Sequence, residues 1–244
     1  LLAVLLMWAV WLIAGAAVKN EYLVPPFAAS IDEFFVLLTK AFFWRAVGAT
    51  LARTVTAFLI CFALALGCAC LSTAFRPFAV FMRPIVALFR TLPTMAVLLL
   101  ILVWLTPSTA PVSVAMLVLF PMIYSQLYGG IEGVSTELLQ MAKVYKLTAA
   151  QKLKCIYLPH IAPAAIEQTG ANLSFGIKLI VSAEVMASTY TALGGMMSEA
   201  RTYLNLPRLA ALTLVTVALG VISELAFRLI SYLIFKRYKA VRGD

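Results

Sequence analysis

Six long apolar runs constrain this chain more than any other feature of its sequence. Each has 18 residues or more, about the length that a helix needs to cross a bilayer; they cover residues 1–18, 47–73, 78–106, 109–131, 162–188 and 207–235. In lipid, only helices and closed barrels satisfy all backbone polar groups, and the short alternating strands of a barrel are absent. We therefore predict an all-α integral membrane protein, with residues 1–244 forming one domain of six transmembrane helices.

The positive charges lie mainly on one side of this predicted bundle. Only 12% of the residues are charged, and ten of the 19 Lys and Arg lie in the connections after the second and fourth spans and in the C-terminal tail, against five on the opposite side. Membrane proteins retain Lys and Arg on the cytoplasmic side. We therefore expect a cytoplasmic C-terminus and a cytoplasmic segment 132–160. Topology also accounts for the net charge of +9, so nucleic acid is not an expected partner.

The first run, residues 1–18, leaves two alternatives open. It is longer than the apolar core of a normal signal peptide, and its removal would leave an odd number of spans, so we favour a retained helix. The stretch AGAAV is nevertheless a tolerable cleavage site. Because the chain opens inside an apolar run without a Met, we also expect a few leader residues before Leu1.

The longest water-facing stretch, ELLQMAKVYKLTAAQKLKCIYLPH, covers residues 137–160. Ser135 or Thr136 can cap a first helix, and Thr148 with Gln151 fits the Thr-x-x-Gln capping box of a second helix. Pro159 is expected to end that second helix. Two short helices cannot bury their apolar faces within so small a loop, so we predict a protein partner in the cytosol.

This stretch resembles the EAA loop of ATP-binding-cassette importer permeases, the binding-protein-dependent transport family. The matching positions are Gln140, Met141 and Ala142 for Glu-Ala-Ala, Lys146 for Gly, and Ile156, Leu158 and Pro159 for the terminal Ile-x-Leu-Pro. The resemblance implies that these residues, with Leu147, couple the chain to an ATPase. The family's Gly would supply a left-handed turn residue, where any Cβ costs about 1 kcal/mol. Lys146 is therefore expected either to occupy a strained left-handed turn or to lie in a reshaped one.

Three further fragments resemble the branch of that family that serves nitrate, sulfonate and taurine. They are TLARTVTAF at the second span, FRTLPTMA in the third, where Pro93 should bend the helix, and AEVMASTYTALGG at the end of the fifth. The resemblance implies a type I importer permease fold in the bacterial inner membrane. It also implies two cytosolic ATPase subunits that hold ATP and Mg, a second permease subunit that is a copy of this chain, an extracytoplasmic solute-binding protein and membrane lipid. No cofactor or metal is expected in this chain.

Polar residues in the fifth span form a candidate translocation path. Ser174, Lys178 and Ser182 are each one helical turn apart and share a face, and Glu184 follows near the outer end. A charge at the centre of a membrane helix costs at least about 2.5 kcal/mol, so it normally faces a cavity or a partner. These four residues would suit the passage of a small anion such as a sulfonate, taurine or nitrate. A neutral vitamin precursor is the alternative solute. Alternatively, Lys178 pairs with Glu224 of the sixth span.

Other functional classes find little support in the sequence. An enzyme needs converging catalytic groups, but the chain has one histidine, His160, and no Gly-x-x-x-x-Gly-Lys loop. A carboxylate site formed by Glu167 and Glu184 is a weaker possibility. A DNA-binding helix pair would be tethered to the membrane at both ends. The serious alternative is a self-contained secondary transporter or channel, although such carriers commonly show repeated halves, which this chain lacks.

Overall fold

The computed structural model describes residues 25–242, and all regular secondary structure in that range is helical. The predicted first span, residues 1–18, lies outside the described residues. The helices are α1 (Phe27–Leu38), α2 (Ala41–Ala74), α3 (Arg76–Thr91), α4 (Thr94–Ile101), α5 (Ala110–Glu132), α6 (Thr136–Val144), α7 (Ala149–Lys152), a π-helical segment (Leu153–Tyr157), α8 (Leu158–Ala187), α9 (Leu193–Thr202) and α10 (Leu206–Arg242).

The predicted spans correspond to the long helices. Among residues 25–242, four helices are long and apolar enough to cross a membrane, or five if a bent pair counts as one span. The second span is longer than predicted, because its helix begins at Ala41 and ends at Ala74. Its long apolar sequence suits a tilted helix. The helical class and the positions of these spans confirm the predicted all-α architecture.

Small residues on one side of α2 let this helix pack closely on α5. Ala57, Cys61, Ala65 and Ala69 recur every four residues, and none has any exposed surface. They belong to the largest buried cluster, which also contains Leu119 of α5. Lipid supplies no hydrophobic force between helices, so close approach and van der Waals contact must hold them together. This stripe of small residues allows that approach.

Helix α8 lies at the centre of the described bundle and packs on α2, α5, α9 and α10. A pair of amides reinforces its contact with α5: Asn172 donates to Gln126 at 2.8 Å, and Gln126 donates to Asn172 at 3.2 Å. Asn172 is buried, so this reciprocal pair satisfies amide groups that would otherwise be unpaired in an apolar interior. Residues along α8 are therefore held in a defined orientation relative to three other spans.

The third span is broken near its middle. Helices α3 and α4 meet at an angle of 91°, and the break falls at Leu92 and Pro93. Leu92 has an extended backbone, as expected for a residue that precedes proline. The predicted bend at Pro93 is therefore confirmed, but it is much sharper than a kink within one continuous helix. After Ile101 the chain turns back through residues 102–109 to the start of α5.

Candidate coupling and transport sites

The first helix of the water-facing segment, α6, begins and ends with side-chain and backbone caps. The Ser135 hydroxyl accepts from the Leu138 amide at 3.3 Å, so of the two predicted caps, Ser135 and Thr136, the helix uses Ser135. At the other end, the Leu147 amide donates to the Ala142 carbonyl and the Lys146 amide donates to the Lys143 carbonyl, both at 3.0 Å. These two bonds form a Schellman motif. Its left-handed residue is Lys146, with φ of 50°.

The sequence offered two possibilities for Lys146, and the structure has the strained left-handed one. The turn has the shape that a glycine would give, although a lysine occupies it. The turn is therefore retained rather than reshaped.

The second short helix starts as predicted but does not end where predicted. The Thr148 amide donates to the Gln151 side chain at 2.8 Å, and the Gln151 amide donates to the Thr148 hydroxyl at 3.3 Å, so the capping box is confirmed. Pro159 was expected to end the helix, and this prediction is wrong. A π-helical segment joins α7 to α8, with the Leu158 amide donating five residues back to Leu153. Proline has no amide hydrogen and is tolerated in the first turn of a helix, where Pro159 lies.

Together, α6, α7 and the π-helical segment form a helix pair, residues 136–158. The pair has its own small core, in which Ala142 has no exposed surface and packs with Val134 and Ile156. The prediction that the apolar faces find no partner inside the loop is therefore only partly right. Other apolar residues point outward: Val144 is 78% exposed and Tyr145 is 72% exposed. The helix pair thus presents an exposed apolar surface.

The residues proposed for a translocation path lie in different environments along α8. Lys178 and Ser182 are exposed, whereas Ser174 is buried against α10. A Cβ built on Gly220 of α10 would lie 3.0 Å from the Ser174 hydroxyl and 3.9 Å from Lys178 Cε. The lysine stem therefore passes over this glycine, and its ammonium group extends beyond the helix contact.

The alternative ion pair of Lys178 with Glu224 does not form in the structure. Glu224 instead lies 3.5 Å from Arg228, one turn further along α10. Among the described residues, no ion pair involves Lys178. A carboxylate site is not assembled either, because Glu167 and Glu184 are separated by 17 positions, about 25 Å along one helix. Residues 25–242 also contain no cluster of three or more metal-ligating side chains.

Glu184, predicted from the sequence to lie at the outer end of the candidate path, does not line a path but is the centre of a buried polar network. It has no exposed surface. Its carboxylate accepts from Arg53 Nη1 at 2.9 Å, from the Thr50 hydroxyl at 2.9 Å and from the Gly194 amide at 3.2 Å. The Thr50 hydroxyl also accepts from the Leu193 amide at 3.0 Å. All oxygens of the buried charge therefore have partners, which a buried ion pair requires.

Arg53 extends this network to two loops. Its Nε donates to the Ser108 carbonyl at 3.2 Å, and its Nη1 donates to the Thr191 carbonyl at 3.1 Å. A second contact between the loops lies alongside, where the Thr189 hydroxyl donates to the Pro107 carbonyl at 2.6 Å. We call these contacts, together with those of Glu184, the Arg53–Glu184 network. It joins α2, the end of α8, the start of α9 and both loops.

Two glycines make room for this network at the start of α9. A Cβ on Gly194 would overlap the Glu184 side chain and lie 2.5 Å from the Val181 carbonyl oxygen. A Cβ on Gly195 would overlap the Thr189 carbonyl. The sequence signal for the network was the presence of opposite charges inside two apolar spans, but nothing in the sequence paired them.

A family model matches residues 60–236, and its description is binding-protein-dependent transport system inner membrane component. This match covers more than half of the chain. The chain belongs to this family. It is therefore the permease component of an ATP-binding-cassette importer, and the secondary-transporter alternative is not favoured.

Two relatives resemble the permease over nearly its whole length. The taurine transport system permease protein TauC of Escherichia coli (strain K12) is 26% identical over 93% of this chain and 82% of its own. SsuC of Bacillus subtilis (strain 168), a permease named for aliphatic sulfonate transport, is 24% identical over 96% of this chain and 86% of its own. These matches support the resemblance to the sulfonate and taurine branch.

Solved structures of importers share the fold. The permease aligns with a chain of a bacterial transporter that imports the polysaccharide alginate, with a TM-score of 0.68 and 16% identity over 95% of this chain and 94% of that chain. The inward-facing MetNI methionine transporter gives a TM-score of 0.65 and 18% identity over 78% and 94%. The importer permease fold is therefore confirmed. The family match includes the helix pair and Glu184, whereas Arg53 precedes it.

Proposed function

We propose that cytosolic ATPase subunits drive this permease by docking on the helix pair, residues 136–158. The observation that carries this proposal is the apolar surface formed by Met141, Val144 and Tyr145, which are 48%, 78% and 72% exposed. Burial of such a surface provides the main driving force for association. ATP and Mg would be bound by the ATPase, and the permease would contribute the transmembrane path.

The test is a charge placed in this surface without disturbing the core beneath it. Val144→Glu should remove most of the ATPase from the purified permease, because the new carboxylate would be buried without a partner on docking. Tyr203→Glu is the matched control, since Tyr203 is equally exposed, at 77%, but lies after α9 at the other end of α8. Equal ATPase recovery with both variants would contradict docking on this surface.

We also propose that the helix pair and the C-terminus face the cytosol, which follows from the asymmetry of the positive charges. A membrane-impermeant thiol reagent tests this orientation in intact cells, in a chain whose four native cysteines are replaced by alanine. Tyr203→Cys should be labelled, and Lys152→Cys should be labelled only after the membrane is opened. Labelling of Lys152→Cys from outside, with Tyr203→Cys protected, would reverse the orientation.

The assembly we propose has two permease chains, two ATPase subunits and a solute-binding protein that delivers the solute from outside. The permease belongs to a binding-protein-dependent family, which supports the last of these partners. Uncovered apolar faces support contact with lipid and with a second copy: in the most apolar window of α10, only 28% of the residues are buried within the chain. Mass measurement of the purified complex would test the stoichiometry, and one permease chain per complex would exclude a homodimer.

For the solute, we propose a small sulfonate or a similar anion that passes Lys178 and Ser182, the two candidate path residues that are exposed, whereas Ser174 is buried against α10. The support is an exposed lysine in a transmembrane helix that has no ion pair among the described residues. An unpaired charge in a span is stable only if it faces water, a solute or a partner. The names of the two relatives point to the same chemical class.

Transport by Lys178→Met tests the path. A hydrogen bond to a charged group contributes about 1.5–3 kcal/mol, so sulfonate uptake should fall by about tenfold to a hundredfold while assembly with the ATPase is retained. Arg228→Met is the control, because it removes a cation from the exposed side of α10. Normal sulfonate uptake by Lys178→Met would contradict the anion path. Absence of sulfonate uptake by the unaltered permease would instead favour a neutral solute, such as a vitamin precursor.

A further inference from the structure

We propose that the Arg53–Glu184 network is a releasable clamp that holds the loop 102–109 against the loop 188–192, and that the two loops separate during each transport cycle. This inference rests on the proposed function, because it needs a permease driven by an ATPase and loaded from the side on which these loops lie. In the proposed orientation that side is extracytoplasmic.

The two ends of the clamp differ in how firmly they are held. Glu184 has no exposed surface, and its carboxylate is bound by Thr50, Arg53 and Gly194. Separation of this buried charge from its partners would be strongly unfavourable. The inner end of the clamp is therefore permanent, and it anchors the guanidinium group.

The outer end consists of hydrogen bonds to loop carbonyls. Arg53 reaches Ser108 and Thr191, and Thr189 reaches Pro107. Residues 103–109 are exposed, so water can replace these donors when the loops move apart. The net contribution of such a hydrogen bond is small, because water compensates for its loss. The loops can therefore be released while the Arg53–Glu184 ion pair stays intact.

Release of the loops would act directly on the candidate path. The loop 188–192 follows the last residue of α8, Ala187, and Ser182 lies little more than one turn before that residue. The other loop follows α4, the second half of the broken third span. The clamp therefore connects the end of the path helix to a span that is bent by 91°. Movement of either loop changes how this end of the bundle is closed.

A reversible crosslink between the two loops is the direct test. In the cysteine-replaced background, Ser108→Cys with Thr191→Cys should be bridged by a short bifunctional methanethiosulfonate reagent. Uptake by the reconstituted complex should stop and then recover after reduction, whereas each single variant should be unaffected by the reagent. Normal uptake by the bridged protein would overturn the proposal. A pair that the reagent cannot bridge would also contradict it, because the clamp requires the two loops to be close together.

A neutral replacement of the clamp provides the second test. Arg53→Met combined with Glu184→Gln removes both hydrogen bonds from Arg53 to the loops without leaving a buried charge unpaired, and keeps the Thr189–Pro107 bond. ATPase activity without the binding protein should rise several-fold, and its stimulation by the loaded binding protein should be largely lost, because only the Thr189–Pro107 bond then opposes separation of the loops. The matched control is Arg228→Met with Glu224→Gln, which removes the exposed ion pair of α10.

The outcomes separate this inference from the proposed function. If the assembled double variant keeps the basal and stimulated activities of the unaltered permease, the clamp is not a transport device. If the double variant does not assemble, the crosslink decides, because it leaves Arg53 and Glu184 in place. If the unaltered permease itself binds no ATPase, the proposed function fails before the clamp is tested.

Discussion

Replacement of Lys146 by glycine is predicted to stabilise the helix pair. Lys146 is the left-handed residue of the Schellman motif that ends α6, with φ of 50°. Its side chain is exposed, so truncation removes no buried contact. The substitution therefore changes mainly the backbone energy of the turn, and two opposing effects decide the result.

The favourable effect is relief of the left-handed conformation, which costs a residue with a Cβ about 1–2 kcal/mol. The unfavourable effect is the greater freedom of glycine in the unfolded chain, which costs about 0.4–1 kcal/mol. The difference is a gain of about 0.5–1 kcal/mol. It corresponds to a decrease of about twofold to fivefold in the population of the locally opened helix pair.

Amide hydrogen exchange of residues 136–147 measures this opening directly. Lys146→Gly should slow exchange there by that factor and leave α2 and α5 unchanged. Lys146→Ala is the control, because it removes the same charge but keeps the Cβ, and it should give no slowing. Faster exchange in Lys146→Gly, or equal slowing in both variants, would refute the reasoning from backbone strain.

Two further substitutions test the packing. Ala142→Glu should destabilise the helix pair itself by about 2 kcal/mol or more, because it places a carboxylate between Val134 and Ile156. Limited proteolysis should then cut the chain near residue 146. A variant that is not cut would contradict the buried position of Ala142. Gly194→Ala should lower the free energy of unfolding by about 1–3 kcal/mol through overlap with the Glu184 side chain, whereas Gly48→Ala, which meets nothing within 4 Å, should not. Thermal unfolding in detergent compares the two, and equal midpoints would show that α9 moves aside without cost.

Local signals in the sequence predicted local structure well. Ser135, and Thr148 with Gln151, lie at the helix starts that their side chains indicated, because a cap is formed within four residues of the chain. The same is true of Pro93, whose effect on the preceding residue is purely steric. The resemblance to the EAA loop placed Lys146 at the turn. From the conformation that glycine adopts there, we predicted either a left-handed Lys146 or a reshaped turn, and the structure has the first.

Contacts between distant residues could not be read in the same way. Arg53 and Glu184 are 131 positions apart, and either charge could have faced lipid headgroups, a path or a neighbouring helix. Only the packing of α2, α8 and α9 brings them together. The predicted helix end at Pro159 was wrong for a related reason. The sequence does not distinguish a proline that ends one helix from a proline in the first turn of the next helix. The difference lies in the π-helical segment that precedes Pro159.

That π-helical segment also determines how α8 is rotated about its axis relative to the helix pair. From Ala149 to Ala187 the chain is one uninterrupted helical rod of about 58 Å, so a tilt of about 5° at the helix pair displaces the far end by about 5 Å. A π-turn contains one residue more than the α-turn it replaces. Deletion of one residue among 153–157 would therefore convert the π-turn into an ordinary α-turn and leave Lys178 and Ser182 on the same side of the bundle, whereas the same deletion in a regular part of the helix would rotate everything beyond it by about 100°. The π-helical segment is therefore the part of this long helix that best tolerates the loss of one residue.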